Sequence, residues 1–322
     1  MAVGATLVAL GFWGTWWTVS RAGSPDARYS LLTTWNAAGA PAGRLERPIG
    51  IAVAPSGDVY ITDARQRVLQ CDSRGEFHGQ WGRPGNGRGE FSNPVGVAVG
   101  PDGSVYVTDY EQDRIQKFTP TGRFLEAFGS SGSEPGQFSA PAGLAVDAAG
   151  ALYVADFYNH RVQKFRADGS FERIIGRPGR LGPGALHYPT AVAITATGQV
   201  LVADAYNYQL QWFDRDGQPL SRVGYHLFWL WPRPVSSASG FNVPTGAAVS
   251  TTGVVHVADS GNHRVVMLSE RGEYLTEWKV PDATPGVYSP EHIAVSPDGS
   301  TVYATDLAAG RVLVLKVERR AQ

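Results

Sequence analysis

A motif that recurs six times limits what this chain can fold into. Each copy starts with a proline, continues through a short apolar run and a glycine turn, and closes with an aspartate at the end of a second apolar run. The repeat aspartates are Asp63, Asp109, Asp156, Asp204, Asp259 and Asp306. Their spacings are 46, 47, 48, 55 and 47 residues. A period in this range is typical of a solenoid, a propeller or a repeat array.

Each repeat unit predicts four short strands. The strands of the second unit are residues 95–99, 104–108, 114–118 and 123–128. Valine, isoleucine and aromatic residues fill these runs, and glycines at the gaps, such as Gly103 and Gly122, supply the turns. Four antiparallel strands per repeat are typical of a propeller blade. The predicted fold class is therefore an all-β, six-bladed β-propeller with four-stranded blades.

The two ends of the repeat region together predict one complete blade. The sixth unit supplies only three strands, and an unassigned apolar segment, residues 29–35, precedes the first unit. Trp35 in that segment matches Trp81 and Trp278, which end fourth strands. We therefore expect the N-terminal strand to complete the sixth blade, since pairing the first strand with the last closes the ring and removes exposed sheet edges.

Two segments of the chain resemble the NHL-repeat family. They are residues 156–165 (DFYNHRVQKF) and 259–265 (DSGNHRV), and the linkers 82–91 and 129–138 look like the inter-blade loops of that family. The resemblance covers residues 29–317 and implies a six-bladed propeller, with residues 318–322 as a C-terminal tail. The fourth unit departs from the pattern, because Tyr208-Gln209 stands where other units have His-Arg.

An acidic residue and a basic residue recur together in the repeats. An arginine follows the aspartate by four or five residues in every unit except the fourth. Because a catalytic centre is normally asymmetric, a pair present in nearly every blade indicates a structural role, in which charge-assisted hydrogen bonds fasten the blades. The predicted blade-fastening residues are Asp63, Asp109, Arg114, Asp156, Arg161, Asp204, Asp259, Arg264, Asp306 and Arg311.

The family resemblance also implies two enzyme classes as precedents. Amidating lyases place histidines around a central zinc, and lactonases hold calcium with central Glu, Asn and Asp, in both cases where the innermost strands enter the channel. Of the matching positions here, just after each repeat proline, only Glu291-His292 offers plausible ligands. A zinc or calcium centre needs three or more convergent ligands. We therefore expect no metal, no cofactor and no enzymatic activity.

An uncharged segment precedes the repeats. Residues 2–19 carry no charged side chain, and Trp13, Trp16 and Trp17 crowd the C-terminal end. Eighteen helical residues reach about 27 Å, close to a hydrocarbon core of about 30 Å, and a Trp cluster is typical of a membrane interface. We expect residues 1–22 to form one retained transmembrane helix, followed by a linker at 23–28. A cleaved secretory signal is the alternative.

The distribution of charge bears on two questions, namely the side of the membrane on which the propeller lies and the class of its partner. Arg21 and Arg28 after the apolar segment point the propeller at the cytoplasm, whereas a signal-like start before a globular domain leads outward. We expect a single-pass membrane protein with an extracytoplasmic, periplasmic propeller, the cytoplasmic side being the alternative. The formal net charge of −1, from 28 Lys and Arg against 29 Asp and Glu, lacks the electrostatic term of nucleic-acid binding, so no nucleic-acid partner is expected.

The linker between the fourth and fifth units is longer than the others. It holds 19 residues between Gly224 and Pro244, where equivalent linkers hold 11 or 12. Exposed apolar patches mark contacts with proteins or membranes, and Trp, Tyr and Arg are favoured interface anchors. A loop folded back over the channel or a blade seam is the alternative. The predicted contact residues are Tyr225, Phe228, Trp229, Trp231 and Arg233.

These features together predict a non-catalytic, membrane-anchored propeller that acts as a scaffold or accessory subunit of a membrane protein complex. Its partners are the other subunits of that complex, and residues 2–19 contact the lipid bilayer. The alternative is an extracytoplasmic metal-dependent hydrolase or lyase of the amidating-lyase or lactonase type, with Glu291 and His292 as ligands. The lone Cys71 is predicted to be a buried, inert thiol, and His256 a packed side chain.

Overall fold

The computed structural model describes residues 27–36, 44–224, 227–228, 231–232, 240–283 and 286–319. Six four-stranded antiparallel sheets form within these ranges. The first strands of consecutive sheets contact one another in a closed cycle, so they line the central channel and the sheets radiate from it as blades. The predicted six-bladed all-β propeller with four-stranded blades is confirmed.

The strands of each blade are given from the channel outward. Blade 1 contains Ile51–Val53, Val59–Asp63, Arg67–Cys71 and Phe77–Trp81. Blade 2 contains Pro94–Val99, Val105–Asp109, Arg114–Phe118 and Phe124–Phe128. Blade 3 contains Pro141–Val146, Leu152–Asp156, Arg161–Phe165 and Phe171–Ile175.

The second half of the ring repeats this order. Blade 4 contains Pro189–Ile194, Val200–Asp204, Gln209–Phe213 and Pro219–Val223. Blade 5 contains Pro244–Val249, Val255–Asp259, Arg264–Leu268 and Tyr274–Lys279. Blade 6 contains Ile293–Val295, Thr301–Asp306, Arg311–Arg319 and, as its outer strand, Ala27–Trp35.

The N-terminal strand closes the ring, as predicted. It pairs antiparallel with the third strand of blade 6, from Ala27 opposite Arg319 to Trp35 opposite Val312. The ladder extends two residues beyond the predicted limit at each end, to Ala27 and Arg319, and Arg28 and Glu318 form an ion pair across it. Residues 27–28 of the predicted linker and 318–319 of the predicted tail take part in this ladder. The hydroxyl of Tyr29 lies 2.7 Å from Nδ1 of the fully buried His256, which links the closing strand to blade 5.

Six apolar clusters lie between neighbouring blades. The cluster between blades 1 and 2 contains Tyr60, Val68, Phe91 and Phe118. Each blade is sandwiched between two others, so its second strand is buried on both faces and reads as a nearly continuous apolar run. Cys71 is buried in the cluster between blades 6 and 1, where burial raises its pKa to about 11. A buried thiol of that pKa is unreactive, as predicted.

Short elements complete the described part of the chain. Two 3₁₀ helices span Ala205–Asn207 and Ser260–Asn262. Arg177–Pro178 pairs parallel with Ala185–Leu186 in one linker. In the long linker, Leu227–Phe228 pairs antiparallel with Trp231–Pro232.

No helix in the described ranges has the length and apolar character needed to span a membrane. The transmembrane helix predicted at residues 1–22 lies outside the described residues. So do the predicted interface tryptophans Trp13, Trp16 and Trp17.

Candidate functional site

The repeat aspartates lie buried at the ends of the second strands and bind the linkers that lead into their own blades. In blade 3, Asp156 is fully buried and accepts a 2.8 Å bond from Nε of Arg161 and another from the Ser139 N–H. Nη2 of Arg161 donates to the Glu134 and Gln137 carbonyls at 3.0 Å each. The pair therefore ties the linker from the preceding blade to blade 3.

The same ion pair forms in four other blades. The distances are 2.9 Å for Arg67–Asp63, 3.7 Å for Arg114–Asp109, 2.7 Å for Arg264–Asp259 and 2.7 Å for Arg311–Asp306. Each of these aspartates is buried. Five equivalent pairs around the ring are consistent with the structural role expected of them.

Blade 4 lacks the arginine and meets the charge of its aspartate with amides. The carboxylate of Asp204 accepts bonds of 2.8 Å from Asn207, 2.8 Å from Gln209, 2.9 Å from Gln211 and 2.7 Å from the His187 N–H. Burial raises the pKa of Asp204 to about 6, and these four donors offset part of that rise. Amide dipoles therefore bind the carboxylate where the other blades use an arginine.

The inner strands of all six blades meet at one mouth of the channel. A cavity of about 230 Å³ opens there. The first or second residue after each repeat proline contributes to its wall. These residues are Ile49, Val95, Ala142, Thr190, Thr245, Glu291 and His292. The structure thus brings the predicted pair Glu291-His292 to the same cavity as the corresponding positions of the other blades.

Hydroxyl groups bridge the inner strands and make the mouth rigid. The Thr62 hydroxyl accepts a 2.8 Å bond from the Gly50 N–H of its own blade and donates a 2.8 Å bond to the Val95 carbonyl of the next. The equivalent threonines are Thr108 and Thr305. In blades 4 and 5, Thr190 and Thr245 donate instead from the inner strand to the following blade.

Glycine lets the inner strands approach so closely. A Cβ at Gly50 would lie 2.1 Å from the Val95 carbonyl oxygen, and one at Gly96 would lie 2.4 Å from that of Ala142. Blade 6 departs from this pattern, since His292 occupies the glycine position. His292 therefore lines the cavity from a position that is glycine in four other blades.

Glu291 and His292 carry perturbed pKa values in opposite directions. Both side chains are half-buried at the channel wall. Burial raises the pKa of Glu291 to about 7, a rise that a bond from the Thr245 hydroxyl reduces. Burial lowers the pKa of His292 to about 4, so its imidazole is neutral at pH 7. The wall of the cavity therefore holds one carboxyl group that titrates near neutrality beside one neutral imidazole.

A metal centre at this mouth lacks ligands. No group of three or more His, Cys, Asp or Glu side chains within the described ranges could hold a metal ion. Glu291 and His292 supply at most two protein ligands, whereas structural and catalytic zinc sites use three or more. The residues present therefore do not fit the zinc or calcium centres that the family resemblance brings in.

An aromatic cluster surrounds one side of the mouth. Tyr110 and Phe157 line the cavity, and their ring centroids are 6.1 Å apart. Phe157 contacts Tyr188 at 4.9 Å, and Tyr188 contacts Tyr206 at 5.1 Å. Tyr158 is 53% exposed and Tyr206 is 37% exposed. We call this surface of blades 2, 3 and 4 the aromatic face, and its residues are Tyr110, Phe157, Tyr158, His160, His187, Tyr188 and Tyr206.

Two histidines of the aromatic face stack on each other. The rings of His160 and His187 are 5.0 Å apart and 4° from parallel, and Nδ1 of His160 accepts a 3.0 Å bond from the Tyr188 N–H. Burial and the nearby Arg180 lower the pKa of both histidines, that of His187 to about 4. Neutral rings can stack without charge repulsion, so this pair extends the apolar surface at neutral pH.

The aromatic face was missed by the sequence analysis, although the sequence held a signal for it. Tyr110, Phe157 and the Ala205-Tyr206 pair follow repeat aspartates directly, where the turn to the third strand begins. The bond from the Tyr110 N–H to the Asn93 carbonyl anchors that turn to the linker. Three such turns on consecutive blades bring their aromatic residues onto one end of the ring. A comparison of the repeat motifs along the chain does not show this grouping.

The contact residues predicted in the long linker are only partly described. Phe228 and Trp231 are opposite each other in the short antiparallel pair, and their side chains lie outside the described part. Tyr225, Trp229 and Arg233 lie outside the described residues altogether.

Comparison with known proteins identifies the repeat. A family model described as NHL repeat matches residues 91–118, 138–165, 186–213 and 241–267. Each match runs from the end of a linker through the first three strands of one blade, from blade 2 to blade 5. No curated protein sequence matches the chain.

Several solved structures share the fold. A streptogramin B lyase is 16% identical, with a TM-score of 0.60 over 90% of this chain and 98% of that chain. Hydrazine synthase of Kuenenia stuttgartiensis is 15% identical, with a TM-score of 0.57 over 86% and 96%. A catalytically inactive histidine-to-alanine variant of virginiamycin B lyase from Staphylococcus aureus with quinupristin is 18% identical, with a TM-score of 0.59 over 91% and 89%. At such identities the likeness concerns the fold alone.

Proposed function

We propose that this chain, a six-bladed propeller carrying NHL repeats, is a non-catalytic binding module that holds a protein subunit against its aromatic face. Its N-terminal apolar segment anchors it to a membrane, and it acts as a scaffold or accessory subunit of a membrane complex. The observation that carries the proposal is the continuous run of ring contacts from Tyr110 to Tyr206 around a channel mouth.

The chemistry of the aromatic face suits protein recognition. Tyrosine is enriched at protein interfaces, where its ring buries apolar area while its hydroxyl stays hydrogen-bonded. Its side chain loses little conformational entropy on binding because it has two torsions. Tyr158, Tyr188 and Tyr206 contact one another in a chain of edge-on rings. Hydroxyl bridges such as that from Thr108 to the Ala142 carbonyl tie the inner strands of neighbouring blades together, and a preorganised frame reduces the entropy lost on association.

Site-specific photo-crosslinking of the full chain in membranes tests this role. A benzophenone amino acid replaces Tyr158 or Tyr206 on the aromatic face, and Leu220 in the control. Leu220 is 50% exposed on the outer strand of blade 4, as accessible as Tyr158 at 53%. We expect one protein to be crosslinked from both tyrosine positions and not from Leu220. Equal crosslinking at all three positions, or none from the tyrosines, would refute the proposed interface.

Membrane anchorage has its own test. Charged residues at the centre of an apolar span cost about 3 kcal/mol each on insertion scales. The double variant Leu7→Arg and Leu10→Arg should therefore move the chain from the carbonate-resistant membrane fraction to the soluble fraction. Conservative Leu7→Ile and Leu10→Ile changes are the matched control. Retention of the arginine variant in the membrane would contradict anchorage by residues 2–19.

The second candidate is an extracytoplasmic hydrolase or lyase working at the channel mouth. The observation that favours it is the pair Glu291 and His292, whose pKa values burial moves in opposite directions, as acid and base groups require. In the S. aureus virginiamycin B lyase, replacing one histidine by alanine abolishes catalysis. Activity assays of the purified full chain, with metal analysis alongside, discriminate the two. Turnover of ester or lactone substrates that is lost in Glu291→Gln, with no requirement for bound zinc or calcium, would favour the enzyme over the binding module.

A further inference from the structure

Resting on the proposed binding role of the aromatic face, we propose that the channel-mouth cavity takes one organic cation. That cation is the ammonium or guanidinium end of a lysine or arginine side chain presented by the bound protein subunit. The cavity lies beside the aromatic face and shares Tyr110 and Phe157 with it. A partner seated on that face would therefore cover the cavity and could extend a side chain into it.

The charges of the wall select a cation. Among the described residues that line the cavity, Glu291 is the one carboxylate, and none is a lysine or an arginine. His292 beside it is neutral at pH 7, because burial lowers its pKa to about 4, so it does not repel a positive group. An anion would meet Glu291 with no compensating cation in the wall, and burying an unpaired charge of that kind is costly.

The aromatic wall adds a second attraction for the same class of ligand. Tyr110 and Phe157 line the cavity, and the face of an aromatic ring attracts a cation through its quadrupole. Such contacts strengthen when the cation leaves water. The wall of one cavity therefore includes a carboxylate and two aromatic residues, and both kinds of group favour a positive ligand.

The size of the cavity fits one side chain. Its volume of about 230 Å³ lies below the roughly 300–1,000 Å³ of pockets that hold drug-sized ligands. Ile49, Val95 and Ala142 supply apolar wall, along which the methylene stem of a lysine or arginine can pack while its charged end reaches Glu291.

Calorimetric titration of the full chain in detergent at pH 8 tests the inference with defined probes. The cationic probes are n-butylammonium and Nα-acetyl-lysine methylamide, and n-butanol is the neutral match of the first. We expect both cations to bind with one site per chain and at least tenfold more tightly than n-butanol. Glu291→Gln should weaken the binding of both cations at least tenfold and leave the binding of n-butanol unchanged. Glu76→Gln, on an exposed turn of blade 1, is the control and should bind as the wild type does.

A second variant keeps the test independent of Glu291. Phe157→Leu keeps an apolar side chain and removes the ring, so it should weaken the binding of n-butylammonium several-fold. Equal binding of n-butanol and n-butylammonium, or unchanged cation binding in Glu291→Gln, would overturn the cation site. Binding of n-butylammonium without binding of Nα-acetyl-lysine methylamide would overturn a protein side chain as its source. Absence of crosslinking from Tyr158 and Tyr206 alongside intact cation binding would refute the proposed function and leave the cation site standing.

Discussion

Replacing Arg161 by glutamine converts the ion-pair site of blade 3 into the amide site of blade 4. Asp156 already accepts bonds from Asn159 at 2.9 Å and Gln163 at 3.0 Å. The corresponding residues around Asp204 are Asn207 and Gln211. The arginine is thus the main difference between the two sites, and blade 4 supplies a natural reference for the variant.

The expected loss follows from burial. Asp156 is fully buried and Arg161 is 7% exposed, and breaking a buried ion pair costs about 3–5 kcal/mol. The two bonds from Arg161 to linker carbonyls are also lost. A new hydrogen bond from the glutamine amide to the Asp156 carboxylate, like that from Gln209 to Asp204, should recover part of the lost stability. We therefore expect the free energy of unfolding at pH 8 to fall by about 3 kcal/mol.

The loss should depend on pH. Burial raises the pKa of Asp204 to about 6, against about 3.9 in an unfolded chain. A carboxyl whose pKa is raised on folding binds protons more strongly in the folded state, so the folded state gains stability as the pH falls through 6. If the variant reproduces the site of Asp204, about 1 kcal/mol of the loss should return between pH 8 and pH 5.

Urea unfolding of the full chain in mild detergent, followed by tryptophan fluorescence at pH 5 and pH 8, measures both effects as differences from the wild type. Arg166→Gln is the matched control, since Arg166 is exposed on the same blade and its bonds of 3.3 and 3.4 Å are weak. The reasoning is refuted if Arg161→Gln costs no more than Arg166→Gln, or if its cost is the same at both pH values.

Three further predictions follow from other parts of the ring. Tyr29→Phe removes the 2.7 Å hydrogen bond to His256 and should lower the free energy of unfolding by about 1 kcal/mol in the same urea assay. An unchanged free energy of unfolding would mean that this bond does not hold the closing strand. Gly96→Ala places a methyl group 2.4 Å from the Ala142 carbonyl oxygen and should cost about 1–3 kcal/mol, whereas Gly79→Ala, which meets nothing within 4 Å, is its control. Binding of n-butylammonium should be roughly tenfold weaker at pH 6 than at pH 8, because Glu291, with a pKa of about 7, is mostly protonated at the lower pH. Over this range His292 (pKa about 4) and Tyr110 (pKa raised by burial) keep their neutral forms. Equal affinities at the two pH values would show that Glu291 does not bind the cation.

Much of the architecture could be predicted because the repeat is local. The proline-to-aspartate motif contains its own strand lengths and turns, so the sequence alone places Asp109 at the end of a second strand, where the structure has it. The closing strand was predictable because Trp35 matched the tryptophan that ends other outer strands. In the structure that ring packs against Gly75 of blade 1, as Trp81 packs against Gly122 of blade 2.

The functional surface was less predictable than the frame. The sequence pointed to Glu291 and His292 because they interrupt the repeat, and both line the channel mouth. It did not point to Tyr188, which looks like an ordinary linker residue along the chain. Its contact with Phe157 joins the linker into blade 4 to the turn of blade 3, and the repeat pattern alone does not say which linker and turn side chains meet.

The amino-acid sequence was therefore sufficient for blade number, strand order and ring closure, since each depends on a motif that repeats within about fifty residues. It also sufficed for the burial of Cys71 and His256, because both stand at strand positions of a known pattern. The shared cavity and the aromatic face depend on closure of the ring, which brings together side chains such as Tyr110 and Glu291 that are far apart along the chain. The pKa values of Glu291 and Asp204 also depend on closure of the ring. Burial shifts these pKa values, and burial is a property of the packed ring and not of the local sequence.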